Sequence, residues 1–325
     1  MSGPEEIGRV VRSGLEESVH LGHIAVCDES GALSHYLGDP RMPVFARSSM
    51  KPLQAAVCLD AIEEELRDEQ VAVMCASHNG EAVHVEAVLS ILQAAGLGFD
   101  DLLCPPDYPI DPDTAARAGC RRPELHNCSG KHAGKLLACR RKGWDLRSYL
   151  DRSHPLQQGI QTAVEQITGI SDLHVGVDGC GSPVHGLPLQ AMATLYARLA
   201  AASSLGPLRD AAQRCMSAMR RAPYLVAGKA RVDTALMEVA PGIVVKTGAE
   251  GLLCAAVIDG GIGVAVKVAD GEGRAAGPAL IRALETLGVL DQRQVTSLVD
   301  FASPPVIGGG AVVGRLESEF ELHRV

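Results

Sequence analysis

The sequence predicts a mixed α/β (α+β) fold in which a central antiparallel sheet is packed with helices. Near the N-terminus, residues 18–27 alternate in polarity like a half-buried strand, and residues 32–37 follow a short turn as its hairpin partner. Near the other end, three short β-rich runs joined by Gly-containing turns indicate an antiparallel meander: 243–246, 252–258 and 263–268. Between these two regions the chain contains several segments with helical periodicity.

The helices are predicted from apolar residues at helical spacing. The first follows Ser48, and Pro52 is compatible with it only in the first turn, where few N–H groups have intrahelical partners. Further helices are expected near 83–92, after 126–135, and over 155–168, 188–202, 208–221 and 277–287. Residues 98–122 have little periodicity and are expected to be irregular. No linker, repeat or low-complexity tract divides the chain, so residues 1–325 are expected to form a single domain.

Composition excludes several classes of partner. The net charge of −9 argues against nucleic acid and anionic membrane surfaces. No apolar stretch reaches the roughly 18 residues of a spanning helix, and the N-terminus lacks the apolar core of a signal peptide. The 10 cysteines contain no CxxC pair and are expected to be buried thiols or ligands. We therefore expect a cytoplasmic protein with a small-molecule partner.

Residues 47–52, Arg-Ser-Ser-Met-Lys-Pro, place a hydroxyl and an amine three residues apart at a predicted helix start. Ser48 and Lys51 would then meet on one helix face. Serine is a poor nucleophile until a base removes its proton, and a neutral lysine can act as that base. The pair alone also fits a capping serine beside a solvated lysine, so this interpretation depends on the rest of the chain.

A second lysine motif strengthens the catalytic interpretation. Lys246-Thr247-Gly248 ends the first meander strand, where a glycine lets a substrate lie close to the strand edge. An early Ser-x-x-Lys and a late Lys-Thr-Gly are the signature set of serine acyl-transfer enzymes of the β-lactamase and penicillin-binding class. Ser77-His78-Asn79 has the Ser and Asn of the middle element of that set, but it lies nearer the first motif than expected.

Another group of residues indicates a metal site. Cys128, Lys131 and His132 lie within one helical turn, and Cys180 lies in a Gly-rich loop after a predicted strand. Two cysteines completed by His126 or His132 would suit Zn²⁺.

Five motifs in this order resemble the asparaginase II family, the rhizobial-type L-asparaginases. They are Arg-Ser-Ser-x-Lys-Pro (47–52), Ser-His-Asn-Gly-Glu (77–81), His-Asn-Cys-Ser-Gly-Lys-His (126–132), Val-Asp-Gly-Cys-Gly-Ser-Pro (177–183) and Lys-Thr-Gly-Ala-Glu-Gly (246–251). The resemblance implies one catalytic domain over 1–325 with a serine β-lactamase/glutaminase-like fold. It also implies a homodimer and hydrolysis of L-asparagine to L-aspartate and ammonia.

The resemblance also implies roles for individual residues. It pairs Ser48 with Lys51 and Ser77 with Lys246 as catalytic residues. It assigns one zinc ion per subunit to Cys128, Lys131 and Cys180, with lysine rather than histidine as the third ligand. The expected substrate-binding residues are Arg47, Asn79 and Asp178.

In the expected mechanism, Ser48 attacks the amide while neutral Lys51 takes its proton, and water then hydrolyses the acyl-enzyme. Burial and a second ammonium, for which Lys246 is the candidate, would keep Lys51 neutral. Zinc is not expected to generate the nucleophile. The sequence favours Ser48 over Ser77 as the acylated residue without deciding between them.

Three rival functions remain open. Glutaminase activity is close, because one extra methylene is worth only about 1–3 kcal/mol of discrimination. A β-lactam-reactive peptidase normally works outside the cytoplasm. A non-catalytic zinc-dependent binding protein would leave Ser48, Ser77 and Lys246 unexplained.

Overall fold

The structure is a computed structural model that describes residues 3–62, 64–201 and 205–325. The described residues form two compact units. The first unit takes those within 1–49, 187–201 and 235–325, and the second takes those within 50–186 and 202–234. The single domain inferred from the sequence stays a prediction.

The first unit is built on an antiparallel sheet. The strands of the described chain are β1 (Glu5–Arg12), β2 (Leu15–Asp28), β3 (Leu33–Leu37), β4 (Pro43–Phe45), β5 (His174–Val177), β6 (Pro183–Pro188), β7 (Ile243–Thr247), β8 (Leu252–Val257), β9 (Ile262–Val268), β10 (Pro305–Gly308), β11 (Ala311–Glu317) and β12 (His323–Arg324). The sheet has the order β10-β11-β1-β2-β9-β8-β7, and β3 pairs with both β2 and β12. All of these pairs are antiparallel. The predicted hairpin and meander are both present, which confirms the antiparallel sheet.

The helices of the described chain are α1 (Lys51–Asp60), α2 (Asp68–Met74), α3 (Ala82–Ala94), α4 (Pro112–Ala118), α5 (Ser129–Lys142), α6 (Pro155–Thr168), α7 (Leu189–Ala201), α8 (Arg209–Arg221), α9 (Pro223–Val226), α10 (Val232–Val239), α11 (Ala276–Thr286), α12 (Gln292–Ser297) and α13 (Val299–Ala302). In the first unit, α7 and α11 pack on the sheet, which confirms the mixed fold class. The predicted helix end at Ala202 lies outside the described residues. Within the described chain, no helix is both long and apolar enough to cross a membrane.

Some elements differ from the sequence prediction. The strand β1 was not predicted, and it joins β2 through a two-residue loop in which Ser13 and Gly14 both have positive φ, as tight hairpins require. The Gly-rich stretch at 308–310 is the turn of the β10–β11 hairpin. The first helix begins at Lys51, because residues 47–50 form a 3₁₀ turn, and Pro52 is its second residue.

Two glycines let helix α5 pack closely on helix α2 in the second unit. A Cβ on Gly130 would lie 2.1 Å from the carbonyl oxygen of Val73, and one on Gly134 would lie 2.7 Å from the side chain of Met74. Only glycine therefore fits at either position without displacement of its neighbours. The close packing brings the first turn of α5 beside the chain that leaves α2.

Candidate active site

In the first unit, the 3₁₀ turn of residues 47–50 is fixed to the end of β7 through Ser49. The buried Ser49 hydroxyl donates a hydrogen bond to the carbonyl oxygen of Lys246 (3.1 Å), and Tyr196 donates to the carbonyl oxygen of Ser49 (2.8 Å). A Cβ on Gly248 would lie 2.9 Å from the Ser49 hydroxyl oxygen, so the glycine of the Lys-Thr-Gly motif makes room for this contact. The Ser49 hydroxyl therefore has a structural role.

The neighbouring Ser48 is different. It is half-buried, and among the described residues of its own unit its hydroxyl has no hydrogen-bond partner. Arg47 precedes it with a φ of 44°, a left-handed conformation that residues other than glycine rarely adopt. The fixed Ser49 and this strained backbone together hold Ser48 in place with its hydroxyl uncommitted within the unit.

Lys246 is fully buried on β7, where it pairs with Cys254 of β8. Its amine donates to the carbonyl oxygen of Thr247 (2.7 Å). Burial raises the pKa of Cys254 to about 12, against the opposing effects of Ser49 and Lys246. Cys254 is therefore a neutral thiol packed beside Lys246.

In the second unit, Lys51 is fully buried and its amine has two close acceptors. It donates to the carbonyl oxygen of Ala76 (2.5 Å) and to the hydroxyl of Ser77 (2.9 Å). Burial lowers the pKa of Lys51; nearby Cys128 opposes this shift and Lys131 adds to it. A neutral amine has two hydrogens and one lone pair. If Ala76 and Ser77 take the hydrogens, the lone pair remains to accept a proton.

The turn that carries Ser77 is held by His78. The amide of Gly80 donates to His78 Nδ1 (3.1 Å), and His78 Nε2 lies 2.9 Å from the hydroxyl of Ser129, which itself donates to the carbonyl oxygen of Glu124 (3.0 Å). Nε2 must therefore carry the proton of the ring. Burial keeps the pKa of His78 well below its usual value, so the ring is neutral.

Asn79, a predicted substrate-binding residue, is almost fully buried and makes contacts within the chain. Its amide nitrogen donates to the carbonyl oxygen of Lys229 (2.9 Å) and to a carboxylate oxygen of Glu81 (3.0 Å). Its amide oxygen accepts a hydrogen bond from Arg231 (3.0 Å). These contacts hold Asn79 in place, and its role in substrate binding stays a prediction.

The three predicted zinc ligands lie together in the second unit. Cys128 precedes α5, Lys131 lies in its first turn, and Cys180 lies in the turn between β5 and β6. The amine of Lys131 donates to the sulfur of Cys180 (2.9 Å), and all three side chains are buried. Among the described residues, no group of three or more His, Cys, Asp or Glu side chains is arranged to hold a metal ion.

Charge is distributed unequally over this cluster. The hydrogen bond from Cys128 lowers the pKa of Cys180 despite burial, and Lys131 lowers it further. The same hydrogen bond, followed by burial, raises the pKa of Cys128. Burial opposes the charge of Lys131, but Cys180 and Cys128 outweigh it and raise the pKa of Lys131. Without a metal, the cluster is therefore a Cys180 thiolate, a Cys128 thiol and a Lys131 ammonium.

Each histidine proposed from spacing has a partner at Nδ1. The amide of Cys128 donates to Nδ1 of His126 (3.0 Å), and Nδ1 of His132 lies 2.7 Å from the hydroxyl of Tyr149. Burial lowers the pKa of His132, and a side-chain hydrogen bond with Cys180 opposes that shift, so His132 also lies beside the cluster. Asp178 is half-buried and accepts a hydrogen bond from the amide of Gly179 (2.8 Å). Its charge also favours the ammonium form of Lys131, which links it to the cluster.

Two basic residues of the second unit lie at the candidate site although no sequence motif predicted them there. Lys135 is fully buried one turn after Lys131 and donates to the hydroxyl of Ser182 (3.0 Å). Burial, aided by the charge of Lys131, lowers the pKa of Lys135 to about 7. Arg231 donates to the carbonyl oxygen of Ser77 (3.3 Å) as well as to Asn79. The i, i+4 spacing of Lys131 and Lys135 was a readable signal, whereas Arg231 belongs to no recognised motif.

Comparison with known proteins gives one family match. The family model for L-asparaginase II matches residues 9–318. No match was found among curated proteins. Similar solved structures include a β-lactamase from Mycobacterium bovis (14% identity, 83% of this chain and 95% of that chain, TM-score 0.41). Others are a putative β-lactamase from Bacteroides dorei (14%, 81% and 93%, TM-score 0.46) and Mglu in its native form (13%, 84% and 67%, TM-score 0.39).

Proposed function

Because this chain belongs to the L-asparaginase II family and is thus an amidohydrolase, we propose that it hydrolyses L-asparagine to L-aspartate and ammonia through a Ser–Lys acyl-enzyme. The observation that carries the proposal is the buried Lys51, whose amine lies 2.9 Å from the hydroxyl of Ser77. A lysine with a lowered pKa beside a hydroxyl is the arrangement that serine amide hydrolysis without histidine requires.

In the proposed mechanism, Ser48 is the nucleophile and Lys51 is its base. The serine oxygen bonds to the amide carbon while its proton passes to the lone pair of Lys51. The C–N bond then breaks, and the amide nitrogen takes that proton and leaves as ammonia. Water hydrolyses the resulting ester, with Lys51 again accepting and returning the proton.

Ser77 has two candidate roles in this scheme. Accepting a hydrogen from Lys51 would make it the residue that orients the base, and donating its own proton would make it the nucleophile. We propose the first role, because the Ser48 hydroxyl is uncommitted within its unit. The pairing of Ser77 with Lys246 stays a prediction. Within the second unit, Lys131 is a cation that lowers the pKa of Lys51.

The test is ammonia release from L-asparagine and L-glutamine, together with ring opening of a chromogenic β-lactam, which releases no ammonia and is followed by absorbance. We expect L-asparagine to be the best substrate of the wild type. The Lys51→Met variant should lose activity by around the 10²–10⁴-fold typical of an acid–base group. The matched control is Lys142→Met, at an exposed lysine of α5. If the wild type prefers L-glutamine or opens the β-lactam, that activity replaces the asparaginase assignment. Full activity of Lys51→Met would refute the mechanism.

Acid quenching during turnover, followed by peptide mapping, identifies the acylated serine. We expect the aspartyl group on the peptide that contains Ser48. The same group on the peptide that contains Ser77 would transfer the nucleophilic role to that residue.

We also propose that Cys128, Lys131 and Cys180 bind zinc. The cluster offers two sulfur atoms and one nitrogen atom, which are ligands of the kind that zinc prefers. The Lys131 nitrogen lies 2.9 Å from the Cys180 sulfur, so the residues fit the ion. Bound zinc would supply a positive charge that orients substrate.

The homodimer implied by the family resemblance is likewise a proposal, and the molecular mass in solution tests it.

A further inference from the structure

Arg231 is a cation that contacts Ser77, the residue whose hydroxyl accepts a hydrogen bond from the proposed catalytic lysine. Its guanidinium donates to the carbonyl oxygen of Ser77, whose hydroxyl accepts from Lys51. Arg231 and Lys51 therefore contact the same residue, one through its backbone and the other through its side chain. A group bound by Arg231 would lie within reach of the chemistry at Lys51.

The guanidinium keeps most of its hydrogen-bonding capacity. Arginine has five N–H donors in a planar fork. Both contacts of Arg231, with Ser77 (3.3 Å) and Asn79 (3.0 Å), come from the same terminal nitrogen. Among the described residues, no group accepts from its other two nitrogens and no carboxylate forms an ion pair with it. A half-buried arginine with an open fork suits an incoming carboxylate, which it can bind through two parallel hydrogen bonds.

The surroundings hold Arg231 in this position. The amides of Ser77 and Asn79 donate to the carbonyl oxygens of Val226 (3.0 Å) and Ala227 (2.8 Å), which joins the two segments like adjacent strands. Gly228 makes the contact possible, because a Cβ there would lie 2.7 Å from the Asn79 amide nitrogen. The buried Asn79 then binds the guanidinium through its oxygen.

The neighbouring cation in this segment is arranged differently. Lys229 is exposed, and its amine forms an ion pair with Asp113 (3.3 Å). Two basic residues of the same segment therefore differ in solvent exposure and in ion pairing. Lys229 is exposed to solvent with an acidic partner, whereas Arg231 lies beside Ser77 and has no acidic partner in the part of the chain that the structure describes.

We propose that Arg231 binds the α-carboxylate of the substrate and thereby selects free amino-acid amides over amides that lack or block this group. The inference deepens the proposed asparaginase function and rests on it. In L-asparagine, two carbon atoms separate the α-carboxylate carbon from the carbon of the side-chain amide. Such a short molecule can engage a fork on one side of Ser77 and the catalytic groups on the other.

The experiment compares L-asparagine with 3-aminopropanamide, which is the same molecule without its α-carboxylate. Wild-type kcat/KM should fall by roughly 10- to 150-fold on this change, the range for a hydrogen bond to a charged group. Arg231→Gln should lower kcat/KM for L-asparagine by a similar factor, mainly through KM, and should leave 3-aminopropanamide hydrolysis unchanged. Arg231→Lys, which keeps the charge without the fork, should be intermediate. Lys229→Gln is the matched control and should match wild type on both substrates.

Two results would overturn the proposal. Equal losses of Arg231→Gln on both substrates would mean that Arg231 acts only through the structure around Ser77. Unchanged hydrolysis of L-asparagine by Arg231→Gln would mean that the carboxylate binds elsewhere.

A binding measurement separates this proposal from the asparaginase assignment. Calorimetry compares L-aspartate with β-alanine, its counterpart without the α-carboxylate. We expect wild type to bind L-aspartate more tightly than β-alanine and Arg231→Gln to lose this preference. If wild type releases no ammonia from L-asparagine but shows the Arg231-dependent preference, the asparaginase assignment fails and the carboxylate site stands. No preference in wild type would overturn the carboxylate site.

Discussion

Ser48 and Ser49 are adjacent in the sequence but differ in burial and in hydrogen bonding. Ser49 is completely buried and donates to the backbone of Lys246, whereas Ser48 is half-buried with an uncommitted hydroxyl in its unit. We expect Ser48→Ala to abolish turnover and leave the free energy of unfolding unchanged. Ser49→Ala should instead lower that free energy by about 1–2 kcal/mol, because a buried hydrogen bond is lost.

Urea unfolding and steady-state kinetics of the two variants check this prediction. Each serine is the control for the other, since both variants remove one hydroxyl from the same turn. More than a tenth of wild-type activity in Ser48→Ala would contradict its assignment and favour Ser77.

Lys135 makes stability depend on pH. Burial lowers its pKa from 10.5 to about 7 in the folded protein, so between these values the unfolded chain binds more protons than the folded one. Stability from this group therefore rises as pH increases from about 7 to about 10.5, and the cost of the buried charge is complete below pH 7. Each pKa unit corresponds to about 1.4 kcal/mol.

Replacement of Lys135 by methionine removes this cost. Relative to wild type, Lys135→Met should gain most stability near pH 7 and progressively less towards pH 10, as measured by urea unfolding at several pH values. Lys142→Met, at an exposed site on the same helix, should show no such trend. A pH-independent difference for Lys135→Met would mean that Lys135 is charged in the folded protein.

Residue types could be predicted from the sequence better than residue partners. Motifs with recognisable spacing contain Ser48, Lys51 and Ser77. They also contain Cys128, Lys131 and Cys180, which form the cysteine–lysine cluster. The hydrogen bond between Lys51 and Ser77 and the donors of Arg231 depend instead on how distant segments pack. Asn79 shows the same limit, because its residue type gives no sign of the contacts that its amide makes with Glu81, Lys229 and Arg231.

At the scale of elements, the position of α5 decides where the cysteine–lysine cluster lies. Gly130 allows the first turn of this helix to approach the backbone of α2, where a Cβ would come within 2.1 Å of the Val73 carbonyl oxygen. Backbone cannot move aside as a flexible side chain can. Gly130→Ala should therefore lower the free energy of unfolding by about 1–3 kcal/mol and weaken zinc binding.

The matched control is Gly159→Ala in α6. There a Cβ would meet only the side chain of Val57 at 3.7 Å, which is ordinary contact. Because alanine favours helix more than glycine does, this variant should be stabilised by up to about 1 kcal/mol. Thermal unfolding of both proteins gives the two shifts, and a stabilised Gly130→Ala would show that α5 does not depend on this close approach.

Elements with their own periodicity were predictable, and those formed by long-range pairing were not. The β2–β3 hairpin, the meander and α6 carry alternating or helical patterns bounded by turn residues. At the pairing of Arg12 with Gly314, the strands β1 and β11 are 302 residues apart in sequence, and short segments with glycines give no local signal for such a pair. The pairing of β1 with β11 therefore could not be predicted from local sequence patterns.

At the scale of the whole molecule, zinc would couple catalysis to stability. Cys128 and Lys131 belong to the start of α5, and Cys180 belongs to the β5–β6 turn, so one ion would cross-link segments about fifty residues apart in the chain. An ion that binds only the folded protein raises its stability, by about 2.7 kcal/mol at a hundredfold excess over Kd. Zinc should therefore raise the melting temperature, and a chelator should reverse the rise.

Zinc binding should also release protons, because the ammonium of Lys131 and the thiol of Cys128 must both be deprotonated before they can donate lone pairs. Affinity should accordingly increase with pH, and calorimetry in buffers of different ionisation enthalpy measures the number of protons released. Cys180→Ala should lose zinc and raise KM for L-asparagine, yet still form the acyl-enzyme. Cys139→Ala, at another buried cysteine of α5, should keep both zinc and KM. If chelation instead abolishes acylation in single-turnover experiments while the fold survives, the metal takes part in the chemical step, and Lys51 alone does not activate the serine.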